Sequence, residues 1–202
     1  MTTIVVTMFF GEPFGGLVPG AQGAALVALM RTGMPMTGRQ VHSVLGTTHS
    51  LRSVQGALKS LVALGLVETT VAGRAIMHRL NQDHFAITPL RQLADPIAAL
   101  RAVVADTADS NVQAVLLFGS VARGEASRSS DIDVAVIAPS IWNGRVEMQA
   151  AVRARMGNEC DVMVFTEDSF RRRAAAAEPV VLDILRDGIA LLGSMPRVRK
   201  AS

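Results

Sequence analysis

Residues 115–137 read Val-Leu-Leu-Phe-Gly-Ser-Val-Ala-Arg-Gly-Glu-Ala-Ser-Arg-Ser-Ser-Asp-Ile-Asp-Val-Ala-Val-Ile, and this segment governs how the second half of the chain can fold. An apolar run ends in Gly119-Ser120, and ten residues later Asp131-Ile-Asp133 opens a second apolar run. The pattern predicts a strand, a glycine turn and another strand. Because side chains alternate between the faces of a strand, we expect Asp131 and Asp133 to share one face, about 7 Å apart.

The paired aspartates and the glycine turn predict a site for metal-bound phosphate. Two carboxylates on one strand face repel each other unless a cation lies between them, and oxygen ligands of this kind suit Mg²⁺ or Mn²⁺. Gly119 lets a phosphate approach the backbone because it lacks a Cβ, and a helix beginning at Ser120 would direct free N–H groups at that phosphate. Arg123 lies three residues further on and could reach the same anion.

Asp161 is the candidate for a third carboxylate. It opens a later apolar run, Asp161-Val-Met-Val-Phe165, which predicts a strand. If this strand pairs beside the strand of Asp131, its carboxylate lies about 5 Å away laterally. Three carboxylates would then surround one or two metal ions.

At these residues the chain resembles the nucleotidyltransferases of the DNA polymerase beta superfamily in their minimal form. The family signature is Gly-Ser, ten residues and Asp-x-Asp, followed by an acidic residue on a later strand. This sequence supplies, in that order, Gly119, Ser120, Asp131, Asp133 and Asp161. The resemblance covers roughly residues 95–192.

The resemblance implies transfer of a nucleoside monophosphate from a nucleoside triphosphate, with ATP the first candidate, to an acceptor hydroxyl. Asp131 and Asp133 would bind Mg²⁺, and Asp161 would bind metal or act as the general base toward the acceptor. Gly119, Ser120 and Arg123 would hold the nucleotide. Many relatives act as antitoxin-like partners of small helical proteins, which implies such a partner here.

The first half of the chain predicts three short helices and a hairpin. Helices are expected over residues 22–31, from the capping box Thr37-Gly-Arg-Gln40, and from about Ser50 to Leu64, with strands over 66–70 and 75–80. This order resembles bacterial winged helix-turn-helix regulators, whose third helix ends as Ala57-Leu-Lys-Ser-Leu-Val-Ala-Leu-Gly-Leu-Val67 does here. A small helical domain that packs only against protein is the alternative.

The resemblance to winged helices implies double-stranded DNA as a partner. Residues 1–94 contain only Glu12, Glu68 and Asp83 as carboxylates, so this half of the chain is basic, which fits a nucleic acid. The residues expected to contact DNA lie on the second and third helices and in the hairpin: Arg39, Arg52, Ser53, Gln55, Lys59 and Arg74, with His78 as a further hairpin residue.

We therefore predict an α+β chain of two domains. A winged helix-turn-helix domain spans residues 17–87, a connecting helix spans 88–110, and a nucleotidyltransferase domain with a mixed sheet flanked by helices spans 111–195. Its last elements up to Leu192 are expected to be one or two helices.

Composition restricts the class of protein. The 202 residues are 50% hydrophobic and 18% charged, which is typical of a globular protein. No apolar run reaches the roughly 18 residues of a membrane span, and Cys160 is the single cysteine, which excludes a disulfide framework or a cysteine zinc site. We expect a cytoplasmic protein, in which residues 1–10 form a strand or an extension outside both domains rather than a secretion signal.

Two classes of function stay open. The first is a Mg²⁺-dependent nucleotidyltransferase coupled to a DNA-binding domain. The second is a transcriptional regulator or antitoxin-like protein whose nucleotidyltransferase fold senses nucleotide, or docks a partner, without turnover. Because one winged helix reads one half-site, we also expect a homodimer.

Overall fold

The computed structural model describes residues 12–127, 130–139 and 142–197, so the prediction for residues 1–10 lies outside the described residues. The chain divides into two compact units. One is formed by Glu12–Asp95, and the described part of the other begins at Pro96.

The first unit combines helices with a small antiparallel sheet. Its helices are α1 (Gly20–Thr32), α2 (Gly38–Leu45), α3 (Leu51–Ala63) and α4 (Ile87–Leu93). Its strands are β1 (Met36–Thr37), β2 (Val67–Ala72) and β3 (Ala75–Leu80), in the spatial order β1-β3-β2. The predicted helices and hairpin are therefore present, and β1 adds a third strand that the sequence pattern did not indicate.

Local signals explain where the helices of the first unit begin and end. The Thr37 hydroxyl accepts a hydrogen bond from Gln40 N at 3.2 Å, and Gln40 Oε1 accepts one from Thr37 N at 2.8 Å, which confirms the predicted capping box. Ser50 caps α3 through Ser53 N at 3.1 Å. Gly65 follows α3 with φ +73°, a left-handed conformation that favours glycine.

The second unit is built on a four-stranded sheet. Its helices are α5 (Pro96–Thr107), α6 (Gly119–Ala122), α7 (Arg145–Met156), α8 (Glu167–Ala175) and α9 (Pro179–Asp187). Its strands are β4 (Ala114–Phe118), β5 (Ile132–Ile137), β6 (Cys160–Phe165) and β7 (Ile189–Leu192), in the order β6-β5-β4-β7. Because β5 and β6 are parallel while β4 is antiparallel to both of its neighbours, the predicted mixed sheet flanked by helices is confirmed.

The alternation of side chains along β5 separates two cores. Ile132, Val134 and Val136 belong to a buried cluster with residues of α5 and α7. Ala135 and Ile137 belong to a second cluster with residues of α8 and α9. Asp133 lies on the same face of β5 as Ala135 and Ile137, because side chains alternate along a strand. It is the polar residue at the end of a face that is otherwise buried.

Two predicted elements differ from the structure. The connecting helix over 88–110 is two helices, α4 and α5, because Pro96 lacks an N–H and disfavours helical geometry in the residue before it. Leu100 and Val104 of α5 are buried in the core of the second unit. The chain from Ile189 to Leu192 is strand β7 rather than helix, because it pairs with β4.

None of the helices in the described ranges combines the length and the apolar character that crossing a bilayer requires.

Candidate active site

A close contact joins the glycine turn to the aspartate strand. Asp133 is the register partner of Phe118, the last residue of β4, and Gly119 follows directly with φ +72°. A Cβ at Gly119 would lie 2.2 Å from Asp133 Oδ2 and 3.1 Å from its Cγ. Glycine is therefore required here twice, once for the left-handed backbone and once for the space that the carboxylate fills.

The register of the parallel strands places two aspartates side by side. Asp133 of β5 is the partner of Asp161 of β6, so the predicted pairing of these strands is confirmed. Asp131 immediately precedes β5 and lies two residues from Asp133, on the same side by alternation. Asp131 and Asp161 are exposed, whereas Asp133 is half-buried.

The charges of the three aspartates act on one another. The pKa of Asp133 is raised, first by burial and then by the charges of Asp161 and Asp131, and Arg123 partly opposes the rise. Carboxylates in mutual repulsion are the donor set that a hard divalent cation favours, so these residues fit Mg²⁺ by their chemistry. Among the described residues, however, no three or more His, Cys, Asp or Glu side chains are arranged to hold a metal ion.

The side chain of Asp161 has another neighbour. Arg145, the first residue of α7, places Nη2 3.4 Å from Asp161 Oδ1. Sequence reasoning missed Arg145, because the contact joins residues that no spacing rule connects.

Ser120 lies within the short helix α6, and Arg123 is the residue that caps its C-terminus. Ser120 is half-buried in the first turn of α6. The Nε of Arg123 donates a hydrogen bond to Glu125 Oε2 at 2.7 Å, and this bond is the largest cause of a raised pKa of Arg123. Arg123 is close enough to lower the pKa of Asp133, yet its guanidinium is engaged by Glu125, a residue that sequence reasoning did not single out.

The first unit contains a separate candidate surface. A groove of about 860 Å³ lies between α3, the hairpin and the start of α2. It brings together five of the predicted DNA-contact residues over an apolar floor that includes Leu58, Val62 and Ile76; the five are Arg39, Gln55, Lys59, Arg74 and His78. Arg52 and Ser53 are exposed on α3 but do not line this groove, and the Ser53 hydroxyl lies 2.9 Å from Ser50 Oγ in the helix cap.

The groove is positively charged. Arg39, Lys59 and Arg74 make no ion pair within the part of the chain that the structure describes, and no described carboxylate lines the groove. By contrast, Arg79 on the same hairpin pairs with Glu68 at 2.9 Å. The unpaired cations make the groove suited to a polyanion.

A comparison with family models matches part of the second unit. Residues 104–186 match the family described as Polymerase beta, Nucleotidyltransferase. This segment is therefore similar to a nucleotidyltransferase domain. It begins within α5, ends within α9 and contains the turn at Gly119 and the three aspartates. A comparison with curated protein sequences gave no significant match.

Solved structures of toxin–antitoxin proteins show a partial likeness. One, a toxin-antitoxin with AMP-PNP, is 20% identical with a TM-score of 0.37, over 49% of this chain and 74% of that chain. A second, the tri-AMPylated Shewanella oneidensis HEPN toxin with its MNT antitoxin, is 18% identical with a TM-score of 0.33, over 48% and 73%. At these TM-scores the likeness supports no statement about the substrates or partners of this chain.

Replacing Gly119 by alanine tests the contact with Asp133. Gly124 is the matched control, because its φ of +71° is nearly the same and nothing lies within 4 Å of the position that a Cβ would take. Gly124→Ala should lose about 1–2 kcal/mol of unfolding free energy for the left-handed backbone. Gly119→Ala should lose roughly 1–3 kcal/mol more, the range for forced overpacking. Urea unfolding measures both changes.

The excess loss in Gly119→Ala should shrink when Asp133→Ala is added, because the carboxylate that meets the new methyl group is then gone. Equal losses in Gly119→Ala and Gly124→Ala, unaffected by Asp133→Ala, would show that the contact does not constrain the turn.

Neutralising Asp133 should stabilise the metal-free protein at neutral pH. Since the folded pKa of this carboxyl is raised, its ionised form weakens the folded state above that pKa, and the penalty vanishes below its ordinary pKa, where both states are protonated. Asp133→Asn should therefore raise Tm at pH 7 in EDTA, and the gain should disappear as the pH falls toward about 3.9. A variant that melts below the wild type at pH 7 would contradict the unfavourable charge environment.

Proposed function

We propose that the second unit transfers a nucleoside monophosphate from a nucleoside triphosphate to an acceptor hydroxyl in a Mg²⁺-dependent reaction. The observation that carries this proposal is the contact of the Asp133 carboxylate with Gly119, beside the register partner Asp161. Both aspartates lie in a segment that matches the nucleotidyltransferase family. ATP is the first candidate nucleotide. As domain bounds we propose residues 17–87 and 111–195, joined by the segment 88–110, whose helix α5 packs on the core of the second domain.

Each candidate residue has a part in this reaction. The acceptor oxygen attacks the α-phosphorus, the bond from that phosphorus to the bridging oxygen breaks, and pyrophosphate leaves. Asp161 is proposed to take the proton of the hydroxyl or to bind metal. Gly119 and Ser120 are proposed to offer backbone N–H groups to a phosphate, Ser120 adds its hydroxyl, and Arg123 supplies positive charge once it leaves Glu125.

Asp131 and Asp133, with Asp161, are the residues that would hold Mg²⁺ or Mn²⁺. When bound, the metal would neutralise charge on the phosphates. The support for a metal here is the strand register that makes Asp133 and Asp161 neighbours. The pKa of Asp133 is raised first by burial and then by the charges of Asp161 and Asp131.

Nucleotide binding tests this function. The wild-type chain should bind a labelled nucleoside triphosphate, with ATP and the other three compared in turn, only when Mg²⁺ is present. Asp131→Ala combined with Asp133→Ala should lower the affinity at least tenfold, because phosphates would lose their bridging cation. Equilibrium dialysis measures the binding.

The matched control is Asp83→Ala combined with Asp168→Ala, which removes the same charge from exposed residues that are not candidate ligands and should leave binding unchanged. If the two double variants bind nucleotide equally well, the proposed site is rejected.

A second candidate function rests on the groove of the first unit. We propose that this unit is a winged helix-turn-helix that binds double-stranded DNA through Arg39, Gln55, Lys59 and Arg74, with Arg52 and Ser53 as further contacts. Its support is the set of unpaired cations around the groove. In this alternative the whole chain is a transcriptional regulator or antitoxin-like protein. Its nucleotidyltransferase fold then senses nucleotide, or docks a partner, without turnover. A homodimer and a small helical partner protein remain further proposals.

A gel-shift assay on DNA upstream of the gene separates these functions. Lys59→Gln combined with Arg74→Gln should weaken binding by about tenfold or more at low salt, because two phosphate contacts are lost. Arg79→Gln is the control, since Arg79 is already paired with Glu68. Specific binding without pyrophosphate release, even with partner protein added, would favour the regulator. If the wild type, the double variant and Arg79→Gln bind DNA equally well, the groove is not the DNA-binding site.

A further inference from the structure

We propose that Arg145 is the built-in counter-cation of Asp161 and competes with the divalent metal for this carboxylate. This inference rests on the proposed function, because it concerns the third carboxylate of the same site. Arg145 is thus a positioning residue, acting through Asp161 rather than on the nucleotide.

Asp161 has two neighbours, one given by the strand register and one by its side chain. The register of β5 and β6 makes Asp133 and Asp161 direct neighbours. The Asp161 carboxylate also lies 3.4 Å from Arg145 Nη2. The carboxylate that would join Asp131 and Asp133 on a metal ion is therefore already paired with a guanidinium.

The position of Arg145 makes this competition effective. It is the first residue of α7, a helix that is anchored to the same strand by Gln149, whose Nε2 donates a hydrogen bond to Cys160 O at 2.9 Å. The buried side chains of Met148 and Val152 fix α7 against the core. Helix α7, rather than a loop, therefore holds the Arg145 guanidinium at the start of β6.

The pair is also weak enough to exchange. Both side chains are more than half exposed, 54% for Arg145 and 58% for Asp161, and their separation of 3.4 Å is longer than a well-formed charged hydrogen bond. Exposed pairs of this kind contribute little to stability. A divalent cation, which carries twice the charge of a guanidinium, can displace Arg145 from Asp161.

The same helix supplies a matched control. Arg153 pairs with Glu159 at 2.9 Å, and their exposures of 55% and 60% are close to those of the Arg145 pair. Glu159 lies two residues before Asp161 but is not one of the three candidate carboxylates. Replacing Arg153 removes an equivalent charge from the same helix and leaves Asp161 untouched.

One functional consequence follows for how metal enters the site. While Arg145 is paired with Asp161, a divalent metal ion without nucleotide can bind only two of the three candidate carboxylates, Asp131 and Asp133. The site then takes metal more readily as its complex with the nucleoside triphosphate, whose phosphate oxygens add ligands of their own.

The test measures Mn²⁺ binding to the full chain without nucleotide, by the electron paramagnetic resonance signal of the free ion. Arg145→Gln should bind Mn²⁺ about two- to fivefold more tightly than the wild type, the range that loss of an exposed ion pair allows. Arg145→Lys keeps the charge and should remain close to the wild type. Arg153→Gln should also match the wild type.

A double-mutant cycle assigns the effect to Asp161. In an Asp161→Asn background, Arg145→Gln should no longer change Mn²⁺ affinity, whereas a general change in surface charge would persist. An Arg145→Gln variant that binds no more tightly than the wild type, or a change that Arg153→Gln reproduces, would overturn the proposal.

Failure of the metal site and failure of the Arg145 role give different results. If Asp131→Ala combined with Asp133→Ala binds Mn²⁺ as the wild type does, the proposed function fails and this inference fails with it. If that variant loses Mn²⁺ while Arg145→Gln has no effect, only the role of Arg145 is wrong.

Discussion

The space left by the missing side chain of Gly119 is the constraint on which the active-site geometry depends. The carboxylate of Asp133 occupies this space, so the conformation of the turn after β4 and the position of Asp133 on β5 depend on each other. The pairing of β5 with β6 then adds Asp161 from a strand that is distant in the sequence. A backbone turn, a ladder register and one side-chain contact together bring the glycine turn and the carboxylate groups to one place.

Two arginines partly balance the unfavourable charges of the site. Arg123 lowers the pKa of Asp133 while bonded to Glu125, and Arg145 is paired with Asp161. A cluster of like charges that the fold tolerates without its ligand is typical of functional sites, where stability is given up for binding. Exchange of these arginines for a divalent ion and phosphates would relieve the repulsion without rearrangement of the sheet.

The sequence predicts those features that short-range rules determine. The spacing from Gly119 to Asp133 locates β4 and β5, and the Thr37–Gln40 pair locates the start of α2 because a capping box is a local structure. Other features that depend on distant partners were not predicted. Strand β7 is four residues long and exists through its pairing with β4, and the contact between Arg145 and Asp161 depends on how α7 packs against β6.

A crystal of the full chain grown with Mn²⁺ and a non-hydrolysable nucleoside triphosphate analogue tests the central claim most directly, through the anomalous signal of the metal. We predict a peak within about 2.0–2.3 Å of carboxylate oxygens of Asp131 and Asp133, beside the turn at Gly119, with phosphate oxygens completing the shell. A metal–nucleotide complex bound elsewhere, with the Asp133 carboxylate left unliganded against Gly119, would contradict it.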